Sequence, residues 1–501
     1  MNLSSLLQVN SRKYRDKEAL VFGEQRLTFH EWNEAVNKLA HSLLEIGIQK
    51  GDRVVLYMPN TIEFVIAYFA TIRLGAIIVP INAKLTKTEV SFIIEHCKAR
   101  AFIVHEWLFQ NIKNWDDEEL ICIKTGSQKE GWFSFEQLQN NKTTTSEINN
   151  GCSEDEEVSI LYTSGTTGNP KGVLFTHKNI LTVATMICIE MNVNVNSRLL
   201  HMMPLSHSAP LHLFLMSGVM TGATHILLPT FDPKNFLTTI QNEKITHFFG
   251  APVVFTLTAK TLPITDYDLS SVQKWIYGGA PLTVNEFNFI QEAFQTTNFT
   301  CVYGLTEAGP NGTLLDGEDH ILKAGSIGNR AALNCEIRIV DEEGKDVEIG
   351  EIGEIILKGE GTMKGYYQAE EQTKESFTGE WLKSGDLAKV DEDGFYWIVD
   401  RKKDVIISGG VNIYPKEVEE LLLNIPMIRE VAVVGIHHDI WGETVKAFLV
   451  VDAQTTDYED LCKCFLGGKL ASYKIPRLYE VVNELPRNAT GKILKTLLKI
   501  R

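Results

Sequence analysis

Leu161-Tyr162-Thr163-Ser164-Gly165-Thr166-Thr167-Gly168-Asn169-Pro170-Lys171-Gly172-Val173 runs from an apolar, strand-like lead-in into hydroxyls, glycines and one lysine. Backbone N–H groups, side-chain hydroxyls and a cation held on a short loop are what a polyphosphate needs. The spacing is not that of the commoner phosphate loops. A Walker A loop closes on Gly-Lys-Ser/Thr, whereas here Pro170 precedes Lys171 and Gly172 follows it. No Gly-x-Gly-x-x-Gly fingerprint opens a helix either: its nearest approach, Gly359-x-Gly361, has Lys364 where the third glycine belongs. The plain alternative is a polar surface turn, but such turns rarely carry Pro-Lys-Gly ahead of a new apolar run.

Working outward, Val158-Ser159-Ile160-Leu161-Tyr162 reads as the strand that feeds the loop, and the stretch from Asn179 as the helix that follows it. Upstream, Val54-Val55-Leu56-Tyr57-Met58, helical periodicity over residues 64–69 and a second apolar run, Ala76-Ile77-Ile78-Val79-Pro80-Ile81, repeat the alternation. That is the pattern of βαβ units on a parallel sheet, so the fold class is α/β. After about residue 325 the texture changes to short β-rich segments divided by turns such as Asp341-Glu342-Glu343-Gly344 and Asp391-Glu392-Asp393-Gly394. In the second of these the glycine comes three residues after the first aspartate instead of five, which makes it a hairpin turn and not a calcium loop. Asp400-Arg401-Lys402-Lys403-Asp404 is a charged run ahead of a final α/β segment. Such runs are usually solvated connections, and its position makes it a domain boundary.

The 501 residues suit a large domain and a smaller one, and 44% apolar with 22% charged residues is an ordinary globular balance. A net charge of −16 repels nucleic acid and anionic membranes, so neither is expected as a partner, and basic groups serving a polyanion must be local. The cysteines at 97, 122, 152, 188, 301, 335, 462 and 464 have neither zinc-site spacing nor the density of a disulfide scaffold, which points to a reducing compartment. Arg12, Lys13 and Arg15 interrupt the amino terminus before any long apolar core, and the apolar stretch around residues 210–220 is about half a membrane crossing. A cytoplasmic protein with no transmembrane segment is expected.

Further strings carry chemistry in their own right. In Tyr303-Gly304-Leu305-Thr306-Glu307 a ring can stack on a base, a hydroxyl can reach a phosphate and a carboxylate can ligate Mg²⁺. Tyr277-Gly278-Gly279-Ala280-Pro281-Leu282 supplies small residues that let backbone approach a flat ring. An aspartate follows Trp381-Leu382-Lys383-Ser384-Gly385 at Asp386, and a lysine lies near the chain end in Pro486-Arg487-Asn488-Ala489-Thr490-Gly491-Lys492-Ile493-Leu494. Together with the opening loop, in this order over nearly the whole chain, these strings resemble the signatures of the adenylate-forming superfamily. That superfamily includes acyl-CoA and aryl-CoA synthetases, adenylation domains and luciferases.

The resemblance implies an architecture. Residues 1–400 would form a large ATP- and acyl-binding domain of two layered α/β subdomains plus a small β-barrel-like part. Residues 401–403 would form a hinge pivoting at Lys403, and residues 404–501 a small mobile α/β lid. It also implies roles. Thr163, Ser164, Gly165, Thr166, Thr167, Gly168 and Lys171 would hold the leaving pyrophosphate. Gly279, Ala280, Pro281 and Tyr303 would hold adenine, with Thr306 on the α-phosphate and Glu307 on Mg²⁺. Asp386, partnered by Arg401, would take the ribose hydroxyls, and Lys492 would bridge the substrate carboxylate and α-phosphate during adenylation. After rotation about the hinge, Gly409 and Gly410 would line the thiol channel, with Trp441 and Tyr473 near CoA. His207, in Pro204-Leu205-Ser206-His207, would gate the acyl pocket, although Ser206 stands where many members have an aromatic residue. His437-His438-Asp439 is not read as a metal site, because adjacent side chains seldom share one ion.

The acyl pocket should draw on residues 211–218, 248–252 and 308–310, which are mostly apolar with His212 the obvious polar exception. No acidic residue there answers an amino-acid ammonium, so an aliphatic or aromatic acid is expected. The chain therefore reads as an ATP-dependent acid–CoA ligase using ATP, Mg²⁺ and CoA. The rival is an adenylating enzyme that loads a separate carrier protein. A luciferase and a non-catalytic nucleotide-binding regulator are less favoured, the latter because Glu307 and Lys492 are both retained. A homodimer is left open.

Overall fold

The computed structural model describes every residue except 1, 114, 116, 118, 141–143, 164–169, 281, 453–456, 488–492, 500 and 501. The chain divides into two compact units: Met1–Ile337 with Leu357–Leu382, and Arg338–Ile356 with Lys383–Arg501.

Two sheets build the first unit. The eight-stranded one runs in the order Gly365–Tyr366, Lys171–Thr176, Glu157–Thr163, Ile77–Ile81, Arg53–Tyr57, Ala101–Val104, Ile121–Lys124, Phe133–Ser134. Arg53–Tyr57 pairs in parallel with Ile77–Ile81 on one side and Ala101–Val104 on the other. All five residues of Ile77–Ile81 are buried, as a central parallel strand covered on both faces requires. The crossover helix Ile62–Arg73 starts at Thr61, whose side chain accepts from Phe64 N–H, and every residue except Glu63 is buried.

One detail departs from the sequence reading. The strand Glu157–Thr163 does not pass straight to a helix: the chain first returns antiparallel as Lys171–Thr176, with Tyr162 opposite Gly172 and Thr163 opposite Lys171. Val173, Leu174, Phe175 and Thr176 are β-branched, aliphatic or aromatic residues that pack well on a pleated surface. The helix then begins at His177, where Thr176 and Asn179 form a reciprocal cap. The strands on either side of the opening loop are thus paired with each other, and residues 164–169 lie outside the described residues.

The nine-stranded sheet runs Arg330–Ala331, Thr313–Leu315, Phe299–Tyr303, Lys274–Gly278, His247–Gly250, Arg198–His201, Thr224–Leu227, Glu18–Phe22, Gln25–Thr28. From Phe299–Tyr303 to Glu18–Phe22 every neighbouring pair is parallel. Trp275 anchors the core against one face, with the rings of Phe248, Phe255, Phe294 and Phe299 around it. In an open α/β sheet ligands bind beyond the carboxyl ends of the strands. Those ends lead directly to Gly279, Thr306 and the segment carrying His207.

In the second unit Tyr396–Arg401 runs antiparallel to Trp381–Val390, which sets Asp386 opposite Arg401. The Asp391 turn closes this hairpin as expected. Its carboxylate accepts from the N–H groups of Asp393 and Phe395 and from Trp397 Nε1, so the acid serves the turn itself. The carboxy-terminal sheet has the order Val411–Ile413, Ile406–Ser408, Gly442–Val451, Ile428–His438, with Leu478–Val481 paired parallel to Gly442–Val451. Helices Pro415–Leu422 and Tyr458–Leu466 bury Val418, Leu422, Cys462 and Leu466 against it. Among the described residues no helix is long and apolar enough to cross a membrane.

Candidate active site

Thr306 and Glu307 lie on a single 3-10 turn, Thr306–Ala308, just past the end of the strand Phe299–Tyr303. Gly304 is needed there, because a Cβ would come within 2.6 Å of the Pro310 carbonyl. Thr306 Oγ1 shares a hydrogen bond of 3.1 Å with Ser208 Oγ, the residue after His207. The segment expected at the α-phosphate and the one expected to gate the acyl pocket therefore meet. Gly279 has a φ of +83°, a conformation glycine adopts without strain, and Gly279 and Ala280 are exposed at the mouth of their strand. Pro281 lies outside the described residues.

His207 is held in one tautomer. Asn82 Oδ1 accepts from Lys84 N–H at 2.8 Å, which turns Asn82 Nδ2 toward His207 Nε2 at 2.9 Å. Nε2 is then the acceptor, and the ring proton sits on Nδ1. Desolvation lowers this imidazole to about 4, so it is neutral at physiological pH. Ser206 is buried, with no hydrogen-bond partner for its hydroxyl among the described residues.

The apolar segment after His207 forms a π-helix, Ala209–Leu215, a form that often marks functional sites. Phe214 stacks on Phe249 with centroids 4.9 Å apart and planes 18° from parallel, and Phe249 in turn lies 3.3 Å from where a Cβ on Gly278 would be. His212 turns elsewhere. Its ring meets Phe175 edge-on at 4.9 Å, it is fully buried, and burial pushes it down to about 3.

At the hairpin base, Lys171 Nζ lies 4.8 Å from the centroid of the Tyr366 ring, and the Tyr366 hydroxyl donates to Glu307 Oε1 at 3.0 Å. Met363 N–H also donates to the Glu307 carbonyl at 2.8 Å. The expected phosphate lysine and metal carboxylate are thereby joined through one tyrosine that sequence reasoning missed. Tyr162 is braced as well, its hydroxyl 2.7 Å from His96 Nδ1. Glu307, a partly exposed carboxylate linked through Tyr366 to Lys171, fits Mg²⁺, which takes one or two protein carboxylates and completes its shell with phosphate oxygens and water.

In the second unit Arg401 Nε contacts Asp386 Oδ1 at 2.8 Å, and Arg401 also donates to the Ser384 carbonyl. The expected ribose pair is thus one ion pair, with Asp386 only 5% exposed. Asp400 accepts from the N–H of Lys416 at 2.8 Å, and Lys402 pairs with Glu354, while the next residue, Lys403, is exposed. Gly409 and Gly410, both at positive φ, form the tight turn joining Ile406–Ser408 to Val411–Ile413. A Cβ on Gly409 would lie 2.8 Å from the Trp441 ring, and the Arg477 guanidinium lies over that ring at 5.4 Å. Tyr473 is exposed, and among the described residues no ring contact or hydrogen bond joins it to Trp441. Lys492 lies outside the described residues.

The sequence pattern described as AMP-binding enzyme matches residues 7–367, and that described as AMP-binding enzyme C-terminal domain matches residues 417–492. The chain belongs to the AMP-binding enzyme family. Among its relatives, a protein named long-chain-fatty-acid–CoA ligase FadD13 from Mycobacterium tuberculosis is 33% identical over 482 residues, 95% of this chain and 93% of that protein. A protein named 2-succinylbenzoate–CoA ligase from Bacillus licheniformis is 34% identical, covering 96% of each chain. The structure of o-succinylbenzoate CoA synthetase from Bacillus subtilis with its acyl-adenylate intermediate superimposes with a TM-score of 0.88 at 30% identity, covering 99% of this chain and 97% of that one.

Proposed function

We propose that the protein is an ATP-dependent acid–CoA ligase acting on a fatty or aromatic carboxylic acid. The observation that carries the reading is the placing, within the first unit, of adjacent Thr306 and Glu307, the one bonded to Ser208 and the other joined through Tyr366 to Lys171. The acid's carboxylate oxygen attacks the α-phosphorus of ATP; the new O–P bond gives acyl-AMP, and the electron pair of the broken bond leaves on pyrophosphate. The CoA thiol then loses its proton and its sulfur attacks the acyl carbon, releasing AMP. The protein's share is positioning and charge. Thr306 reaches the α-phosphate, the hairpin and Lys171 receive the pyrophosphate, and Glu307 would hold Mg²⁺, which when bound neutralises phosphate charge. Neutral His207 orients the carboxylate end of the acid, whose apolar part rests toward Phe214 and Phe249. Asp386 with Arg401 takes the ribose, and Tyr303 with Gly279, Ala280 and Pro281 takes adenine.

Lys492 acts in adenylation only. We place the hinge at residues 401–403, between a domain of residues 1–400 and a lid of residues 404–501 that rotates to bring Gly409, Gly410, Trp441 and Tyr473 to the CoA thiol. All eight cysteines are free, which supports a reducing, cytoplasmic setting. CoA is favoured over a carrier protein because the relatives are named as CoA ligases.

The test is pyrophosphate release across short, medium and long fatty acids and aryl acids, with and without CoA. Acid-dependent release followed by acyl-CoA formation is expected. No turnover with any acid would return the protein to the regulator class, and acyl transfer only to a carrier would favour the rival.

A further inference from the structure

Tyr366 touches both charged groups expected to manage the leaving pyrophosphate. Its position is fixed from three directions. Gly365–Tyr366 pairs antiparallel with the hairpin's return strand, Tyr366 opposite Val173. Tyr366 N–H donates to Thr373 Oγ1 at 2.8 Å, and the next residue's N–H donates to the Gly172 carbonyl at 2.7 Å. The side chain then lies between opposite charges: the ring faces Lys171 Nζ at 4.8 Å, and the hydroxyl donates to Glu307 Oε1 at 3.0 Å.

A lysine and a glutamate that flank one side chain could instead close on each other as an ion pair. Such a pair would have to be broken before either group could meet a phosphate or a metal. Among the described residues no ion pair joins Lys171 to Glu307, and the phenol stands in for each partner with a weaker interaction. A ring face attracts an ammonium without occupying its N–H donors in strong bonds, and one hydroxyl occupies a single lone pair of a carboxylate. Both charges stay aimed and available.

We propose that Tyr366 is a positioning residue for the pyrophosphate-leaving step, holding Glu307 ready for Mg²⁺ through its hydroxyl and Lys171 ready for phosphate through its ring. This rests on the roles given to Glu307 and Lys171 under the proposed function. It makes the two halves of one side chain separable.

Tyr366→Phe keeps the ring and removes the donor; Tyr366→Leu removes both. In acid-dependent ATP–pyrophosphate exchange, Tyr366→Phe is expected to raise the Mg²⁺ concentration for half-maximal rate about tenfold, the usual scale for one hydrogen bond to a charged group, with the KM for ATP at saturating Mg²⁺ little changed. Tyr366→Leu is expected to show the same Mg²⁺ effect and, in addition, a several-fold higher KM for ATP and for pyrophosphate in the reverse direction. Thermal melts of all three proteins separate packing from positioning. Wild-type Mg²⁺ dependence in Tyr366→Phe would overturn the proposal, as would identical kinetics for the two variants or a loss that simply tracks a lowered melting temperature. Absence of exchange in the wild-type protein would instead remove the functional reading, and the inference with it.

Discussion

Lys492 is the residue on which the proposed reaction can be split into its halves. A cation bridging carboxylate and α-phosphate is worth most where charge builds in the adenylation transition state, and has nothing to bridge once acyl-AMP exists. Lys492→Ala is therefore expected to slow adenylation at least about a hundredfold while leaving thioester formation from supplied acyl-AMP within a few-fold of wild type. Single-turnover assays of each half-reaction measure this, and equal loss in both would remove the role. Residues of this kind are legible in the sequence, because their chemistry sits in short local strings: Thr306 beside Glu307, Lys171 after Pro170, Asp386 after Gly385. Asn82 and Tyr366 are not. Asn82 acquires meaning from His207, 125 positions away, and Tyr366 from Glu307, 59 positions away, and no local spacing encodes such contacts. His212 shows the converse, a polar residue in an apolar string that the fold turns onto Phe175.

The paired strands Glu157–Thr163 and Lys171–Thr176 flank the loop proposed to take the pyrophosphate, and they pack closely at Gly172. At Gly172 a Cβ would stand 2.9 Å from Ile160 Cγ2, 3.3 Å from Tyr162 Cζ and 3.4 Å from Tyr367 Cβ. The absence of a side chain lets both tyrosines close on the strand beside Lys171, and the His96 bond then fixes the Tyr162 ring. Gly172→Ala should cost roughly 1–3 kcal/mol of stability by overpacking. It should also raise the KM for ATP more than it lowers kcat, because the displaced groups flank the loop and not the acid. A lowered melting temperature with unchanged KM would show that the hairpin tolerates the shift. The return strand escapes a sequence reading for a physical reason. A short apolar run after a loop reads equally as strand or as the start of a helix, and only pairing with Glu157–Thr163 decides it. The α/β alternation of the crossovers is plain, since Ile62–Arg73 is long and buried almost all round.

At the scale of the whole molecule, the first unit buries an unusual set of neutral imidazoles. His177, His201, His212, His225 and His320 are each at most 3% exposed. Burial lowers His201 and His212 to about 3 and His177 and His320 to about 4, and burial with help from His201 and Lys17 lowers His225 well below its ordinary value. Their partners agree with the neutral form: His177 Nδ1 accepts from Leu3 N–H, His320 Nδ1 donates to the Asp316 carbonyl while its Nε2 accepts from Tyr277, and His201 Nε2 meets His225 Nδ1. An unfolded chain binds a proton at each below about 6.5, whereas the folded one does not until well below that, so the stability they contribute is present above about 6.5 and lost as pH falls. Between pH 7 and 5.5, before ordinary carboxylates titrate, each should remove roughly 1 kcal/mol, and five together several, against a total of about 5–15. The urea midpoint of the first unit, followed by the fluorescence of Trp32 and Trp275 in its core, should accordingly fall steeply over that interval. Because unfolding then takes up protons at these five and also at His207 and His247, which burial lowers as well, its apparent enthalpy at pH 5.5 should differ between buffers of high and low ionisation enthalpy by an amount corresponding to several protons. A flat midpoint from pH 7 to 5.5 would mean that these imidazoles reach water in the folded protein.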